Sequence, residues 1–204
     1  MLLALLEGAS VELTDLGRIQ DDASFIARAF EAAARDSDIV ISTGGVSVGE
    51  EDHVRAAVTA AGGKLWPLKA AIKPGKPASV GRLGAANLIG LPGNPVSALV
   101  TFMWFARPII SRRMGLQPRE PLPVAAIAGF SEMRSTGRDE FTPVVIAGHD
   151  SDGRPIVEKR RQAGSARLSS LIEADGFARI PAKQSTISRG DLLRLYTFGA
   201  DFCL

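Results

Sequence analysis

The stretch DIVISTGGVSVGEEDH, residues 38–53, decides how this chain is read. A short apolar run, Ile39, Val40 and Ile41, enters a loop with Gly44, Gly45 and Gly49, which ends in Glu50, Glu51 and Asp52. A helical pattern begins at once. A buried strand that runs through glycines into a helix is a common way to build an anion site. Glycine lets the backbone approach a ligand closely, so that several N–H groups can be aimed at it. The positive end of the following helix adds to the attraction. Ser42 and Ser47 supply small hydroxyls, and the carboxylates suit a hard cation such as Mg2+ bridging to phosphates. The pattern is neither GxGxxG nor GxxxxGKS/T, so neither the dinucleotide fingerprint nor the P-loop applies. The plainer reading is a tight strand–helix turn in which Asp52 is only an N-cap.

The surrounding pattern predicts an α/β unit. Leu2, Leu3, Leu5 and Leu6 read as turns of an amphipathic helix, and residues 11–16 (VELTDL) alternate as a strand does. Asp21 and Asp22 precede a helix whose apolar face is Ile26, Ala29, Phe30 and Ala33, and either can cap it. A second helix presents Val54, Ala57, Val58 and Ala61, and residues 65–68 form a further strand. The order β, α, β, α, β indicates a parallel sheet with helices on both faces. Residues 69–77 (KAAIKPGKP) set Lys69, Lys73 and Lys76 around a Pro-Gly turn, either converging on an anion or merely solvated. Residues 87–91 (NLIGL) then enter Pro92-Gly93-Asn94-Pro95, where Asn94 is a good N-cap and Pro95 a good first helical residue. The long apolar helix beyond should be interrupted at Pro108 and stop at Gly115. Loops between such strands and helices are where open α/β sheets place ligands. Trp66, Trp104 and the phenylalanines are assigned to the core.

Residues 115–123 (GLQPREPLP) read as a linker, which divides the chain into an α/β domain (residues 1–116) and a small β-rich domain (residues 117–204). In the latter, short runs at 124–127, 141–146, 156–159, 177–180 and 192–196 are separated by Gly, Asp and Pro turns. One helical piece at 167–174 interrupts them. With 204 residues, 46% hydrophobic and 23% charged, the composition is that of an ordinary globular protein. A net charge of +2 without a basic stripe gives no nucleic-acid signature, and Lys159, Arg160 and Arg161 read as a solvated edge. No run reaches the length of a membrane span. The lone Cys203 excludes a disulfide framework and fits a reducing, cytoplasmic setting; His53 and His149 give no metal-ligand spacing. No Ser-His-Asp arrangement is visible, so electrostatic positioning of a polyanion is favoured over covalent catalysis.

STGGVSVGEEDH (residues 42–53), AIKPGKP (residues 71–77) and GLPGNPVSA (residues 90–98), in this order and spacing, resemble the molybdopterin molybdenumtransferase family, which includes bacterial MoeA and the E domain of gephyrin. The resemblance runs over essentially the whole chain. It implies a three-layer molybdopterin-binding domain followed by the family's C-terminal domain. The implied reaction converts adenylylated molybdopterin and molybdate into molybdenum cofactor, with Mg2+ assisting and AMP released. By the resemblance, Asp52, Asp22, Lys69 and Lys73 are catalytic, and Asp52 with Glu51 holds the metal. Ser42, Gly44, Gly45, Ser47, Gly49, Lys76, Pro92, Gly93, Asn94, Pro95, Arg138 and Ser165 would contact the substrate. Lysines would act as point charges on oxyanion oxygens, and Arg138 could offer two donors. Where the family usually has a His after that serine, this chain has Ala166. The family also carries two further domains upstream and a first sheet strand, so the chain looks like the C-terminal half of a longer enzyme. The resemblance implies a homodimer, with the upstream domains or a partner contributing to the site. Two other readings are a non-catalytic molybdopterin-binding module and a CinA-like nucleotide-pyrophosphate hydrolase.

Overall fold

The computed structural model of the protein describes residues 1–7, 9–44, 53–75, 77–159 and 169–199. In chain order its elements are α1 (Leu2–Glu7), α2 (Ala23–Asp36), β1 (Ile39–Thr43), α3 (His53–Ala60), β2 (Lys64–Pro67), β3 (Ile72–Lys73), β4 (Ser79–Leu83) and β5 (Ala86–Leu91). Then follow α4 (Pro95–Thr101), a π-helical turn (Phe102–Ala106), α5 (Arg107–Arg113), β6 (Val124–Ala128), β7 (Glu132–Met133), β8 (Asp139–His149) and β9 (Pro155–Glu158). The last elements are α6 (Ser169–Ile172), β10 (Gly176–Ile180), β11 (Thr186–Ile187) and β12 (Leu192–Thr197). The chain divides into two units. One comprises Met1–Ala70 and Gly75–Pro118, the other Ala71–Pro74 and Arg119–Leu204.

The first unit is built on a sheet of order β1-β5-β4-β2. Its apolar strand, β5, is parallel to β1, with Ile39 opposite Asn87 and Thr43 opposite Leu91. Ile26 and Phe30 of α2 join Val54, Ala57 and Val58 of α3 over Leu83 and Leu88 in one buried cluster. Side chains alternate across a strand, so Ile89 and Leu91 face the side opposite Leu88. They too are buried, so the sheet is covered on both faces. Burial of each such side chain stabilises the fold by about 1.5–3 kcal/mol.

The interruption expected at Pro108 takes a definite form. Its ring lacks an N–H and would crowd the carbonyl four residues back, and the helix widens into the π turn at Phe102–Ala106 before resuming as α5. Gly115, at φ +77, ends it, while Leu116 N–H donates to the Ser111 carbonyl at 2.9 Å.

Three local expectations need correction. Residues 11–16 alternate but form no strand; Leu13 and Leu16 are exposed. Alternation makes a strand only where a neighbour supplies the hydrogen bonds, and β1, the sheet's end strand, pairs among the described residues with β5 alone. The strand expected at 65–68 does form, as β2, but it pairs antiparallel with β4, a strand whose short SVGRL pattern gave little signal. The parallel part of the sheet is thus the β1–β5 pair. Trp66, assigned to the core, is 51% exposed because β2 is an edge strand, and it lines a surface hollow with Val80, Ile109 and Arg112. Phe25 is also exposed, stacked under the Arg28 guanidinium at 4.7 Å.

In the second unit the order β10-β12-β6-β9-β8 closes on itself through a β8–β10 pairing, and β3 adds to β8 in parallel. Ring closure removes the exposed edges that open sheets must protect. Its interior holds Ala126, Ala128, Val144, Val157, Ala178, Ile180, Leu193 and Leu195. Each of the five strand runs read from the sequence falls within or across one of these strands, and α6 lies inside the expected helical piece.

Gly81 and Gly176 leave no room for a methyl group. A Cβ at Gly81 would lie 2.2 Å from the Lys64 carbonyl oxygen, and one at Gly176 2.3 Å from that of Tyr196. Gly148 meets nothing within 4 Å. Gly81→Ala and Gly176→Ala are therefore predicted to destabilise by at least about 1–3 kcal/mol. Gly148→Ala should stay within about 0.5 kcal/mol. Urea midpoints at constant slope measure both.

Candidate functional site

The parallel register of β1 and β5 sends two loops out at the same end of neighbouring strands. Gly44, at φ +80, follows β1, and its N–H donates to the Leu91 carbonyl at 3.0 Å. That left-handed turn favours glycine for lack of a Cβ. Across from it, a Cβ placed on Gly93 would lie 3.5 Å from the Gly44 Cα, so the two loops run close to one another. Pro92 is buried. Asn94 Oδ1 accepts from the Val96 and Ser97 N–H groups at 3.0 and 3.2 Å, which caps α4, and Pro95 opens the helix. Ser42 lies in β1 opposite Gly90. The structure thus brings together Ser42, Gly44, Pro92, Gly93, Asn94 and Pro95. Gly45, Ser47, Gly49, Glu51, Asp52, Lys76 and Ser165 lie outside the described residues.

Asp22 is the N-cap of α2. Its Oδ1 accepts from Ser24 Oγ at 2.6 Å and from the Ser24 and Phe25 N–H groups at 2.8 and 3.2 Å. The hydrogen bond from the Ser24 hydroxyl, then the two backbone bonds, hold its carboxyl below the usual range. Lys69 is exposed on the first unit, whereas Lys73 belongs to the second. Among the described residues no group of three or more His, Cys, Asp or Glu is placed to hold a metal ion.

Lys73 is where the sequence reading missed most. Parallel pairing sets Lys73 opposite Glu140 on β8, and its ammonium meets Glu140 Oε2 at 3.2 Å. The same oxygen accepts from Arg134 Nε at 3.1 Å. Arg134, its side chain 3% exposed, is itself anchored: Nη1 donates to the Pro181 and Gln184 carbonyls at 3.0 and 2.8 Å, and Nη2 to that of Arg138. Lys159 stands 4.0 Å from Glu140 Oε1 and pairs with Glu132, so it is not the solvated residue expected. Its ammonium also lies 5.1 Å from the Phe130 ring centroid. Arg138 exposes its side chain beside this network, and its neighbour Asp139 pairs with Arg179. Burial pushes the Glu140 carboxyl up, but the bond from Lys73, the charges of Lys159 and Lys73 and the bond from Arg134 outweigh it, leaving the carboxyl below its usual range. A signal was present: in DEFTPVVI, Glu140 shares the inward face with Thr142 and Val144, so an acid there requires buried partners.

Comparison with known proteins fits this geometry. The family profile described as "Probable molybdopterin binding domain" matches residues 1–112, and the one described as "MoeA C-terminal region (domain IV)" matches residues 125–198. The molybdopterin molybdenumtransferase of Haemophilus influenzae is 36% identical over 95% of this chain and 48% of its own length. That of Nostoc sp. is 31% identical over 93% of this chain and 44% of its own. The chain spans about half the length of the curated relatives it matches. Among solved structures, the molybdopterin biosynthesis MoeA protein of Pyrococcus horikosii aligns with 98% of this chain and 47% of its own at a TM-score of 0.77 and 24% identity, which shows a shared fold.

The lowered Glu140 pKa sets a pH dependence. Its stabilisation is fully present above the ordinary carboxylate value of 4.5 and is lost as pH falls through the lower folded value. Glu140→Gln is therefore predicted to lower the urea midpoint at neutral pH and to flatten its decline on the acid side of that value; an equally steep acid decline would contradict the assignment.

Proposed function

The chain belongs to the molybdopterin molybdenumtransferase family, matched in its molybdopterin-binding and C-terminal domains, and we propose that it binds adenylylated molybdopterin and takes part in molybdate insertion with release of AMP. The observation that carries this reading is the close approach of the Gly44 turn to the Pro92-Gly93-Asn94-Pro95 loop at the ends of two parallel strands, tied by the Gly44 N–H bond to the Leu91 carbonyl. Close backbones with a capped helix behind them suit a polyanion such as a pterin phosphate or pyrophosphate. Catalysis in such a site rests on holding the reacting groups in place and on charge stabilisation.

On the first unit, Lys69 supplies an exposed point charge for substrate oxygens. On the second, Lys73 and Arg138 are the cations assigned to oxyanion oxygens, as ammonium and guanidinium respectively. Glu51 and Asp52 would hold Mg2+. Their carboxylates are the hard oxygen donors that this ion prefers, and they stand directly before α3 in the chain. When bound, the metal would supply neutralisation of phosphate charge. Asp22 has a cap role in α2, and the proposal adds to it a second role facing the substrate. The complete site is proposed to be homodimeric and cytoplasmic, with further domains supplied by a longer chain or a partner. The greater length of the curated relatives supports that addition. No helix among the described residues is long and apolar enough to cross a membrane.

Incubation with adenylylated molybdopterin, molybdate and Mg2+ should release AMP, with the release dependent on all three. Pterin bound without AMP above background would mean a binding module instead. Lys69→Glu should weaken pterin binding without altering the circular dichroism spectrum. Loss of one charge-assisted contact of about 1.5–3 kcal/mol corresponds to about ten- to hundredfold in affinity. Unchanged affinity would reduce Lys69 to a solvated lysine.

A further inference from the structure

Buried Glu140 carries a charge in a place where charge is costly, and three cations converge on it. Its side chain is 10% exposed, and Arg134, at 3%, is more deeply buried still. Burial of a carboxylate is tolerated only where ion pairs and hydrogen bonds compensate. Arg134 provides the rigid part of that compensation: its Nε donates to Glu140, while its Nη atoms are fixed by the carbonyls of Pro181, Gln184 and Arg138. Lys73 and Lys159 add their charges to it. The pairing also acts on Lys73. Lys73 is a long, flexible side chain that is 48% exposed, on a two-residue strand, and its partner Glu140 is held rigidly from behind.

An ammonium has three donors, and Glu140 takes one of those of Lys73. Lys73, Arg134 and Lys159 against Glu140 and Glu132 leave the group with a net charge of +1, so pairing does not cancel its attraction for anions. A partner that fixes one donor of an otherwise mobile lysine lowers the entropy lost when the others engage a ligand.

We propose that Glu140 is a positioning residue, backed by Arg134, that fixes the Lys73 ammonium so that its remaining donors are presented to a tetrahedral oxyanion of the molybdate class. The proposal rests on the reading of Lys73 as an oxyanion ligand. Glu140 itself touches no substrate. Its register opposite Lys73 on β8 makes the arrangement a property of the β3–β8 pairing and not of side-chain chance.

Calorimetric titration of the full chain with molybdate tests this in four proteins: unsubstituted, Lys73→Ala, Glu140→Gln and the double variant. Each single substitution should weaken molybdate binding by about tenfold. The double variant should bind no worse than Lys73→Ala, because the two residues act as one unit. Amine acetylation, read by peptide mass spectrometry, should rise several-fold at Lys73 in Glu140→Gln and stay constant at Lys69. If Lys73→Ala weakens binding and Glu140→Gln does not, the positioning role is overturned while the reading of Lys73 stands. Additive losses in the double variant overturn it too, since Glu140 would then act elsewhere. If Lys73→Ala leaves the affinity unchanged, the reading of Lys73 falls and the proposal with it. Should Glu140→Gln not fold, Glu140→Asp makes the same comparison: a partial loss supports the role, and full affinity overturns it.

Discussion

The parallel pairing of β1 with β5 is the constraint on which the first unit depends. Parallel strands cannot be joined by a tight turn, and here α3 precedes β2 at the far edge of the sheet, from which β4 leads back to β5. The pairing also fixes the ends of both strands at one level, with Thr43 beside Leu91. Two loops then start from adjacent positions and run close to one another. The Gly44 N–H bond to Leu91 prolongs the ladder by one residue, so the turn at Gly44 is held by the sheet itself. The location of the candidate site is thus a consequence of strand register.

The second unit solves a different problem. Its strands are short and its interior is composed mostly of small and branched residues, so it gains stability by closing the sheet instead of by covering one face with helices. β8 is the longest strand and takes part in three pairings, with β3, β9 and β10. At its Asp139–Glu140 end β8 is flanked by β3 and β10, and Glu140 is buried there among its ion-pair partners. Arg134, Lys159 and Lys73 arrive there from three separate segments. A network of this kind confers position more than stability, because desolvation offsets much of the attraction between buried charges.

Much of this was legible in the sequence where periodicity and turn chemistry agree. The Ile39–Ile41 run, the Ile26–Phe30 face, the Asn94-Pro95 start and the Pro108 interruption each rest on a local rule that no distant contact overrides. The strand runs of the β-rich part were legible for the same reason. The failures share a cause as well: each depends on a partner far away in sequence. Residues 11–16 have the alternation of a strand and no hydrogen-bonding neighbour. SVGRL has a weak local pattern, yet becomes a strand between β5 and β2. Trp66 follows the rule for core residues but sits on an edge, and Lys159 looks like part of a surface run until Glu132 and Glu140 are brought to it. In the candidate site, the Gly44 turn and the Asn94 cap were readable one loop at a time, whereas their proximity required the parallel register.

Amide chemical-shift changes on titration with molybdopterin test the central claim, that the contact between the Gly44 turn and the Leu91–Asn94 loop forms a wall of the ligand site. The account predicts that Gly44, Gly93, Asn94, Val96 and Ser97 shift together and saturate with one affinity, while the interior strands β6 and β12 stay unmoved. Saturating shifts elsewhere that leave Gly44 and Gly93 unchanged would contradict it.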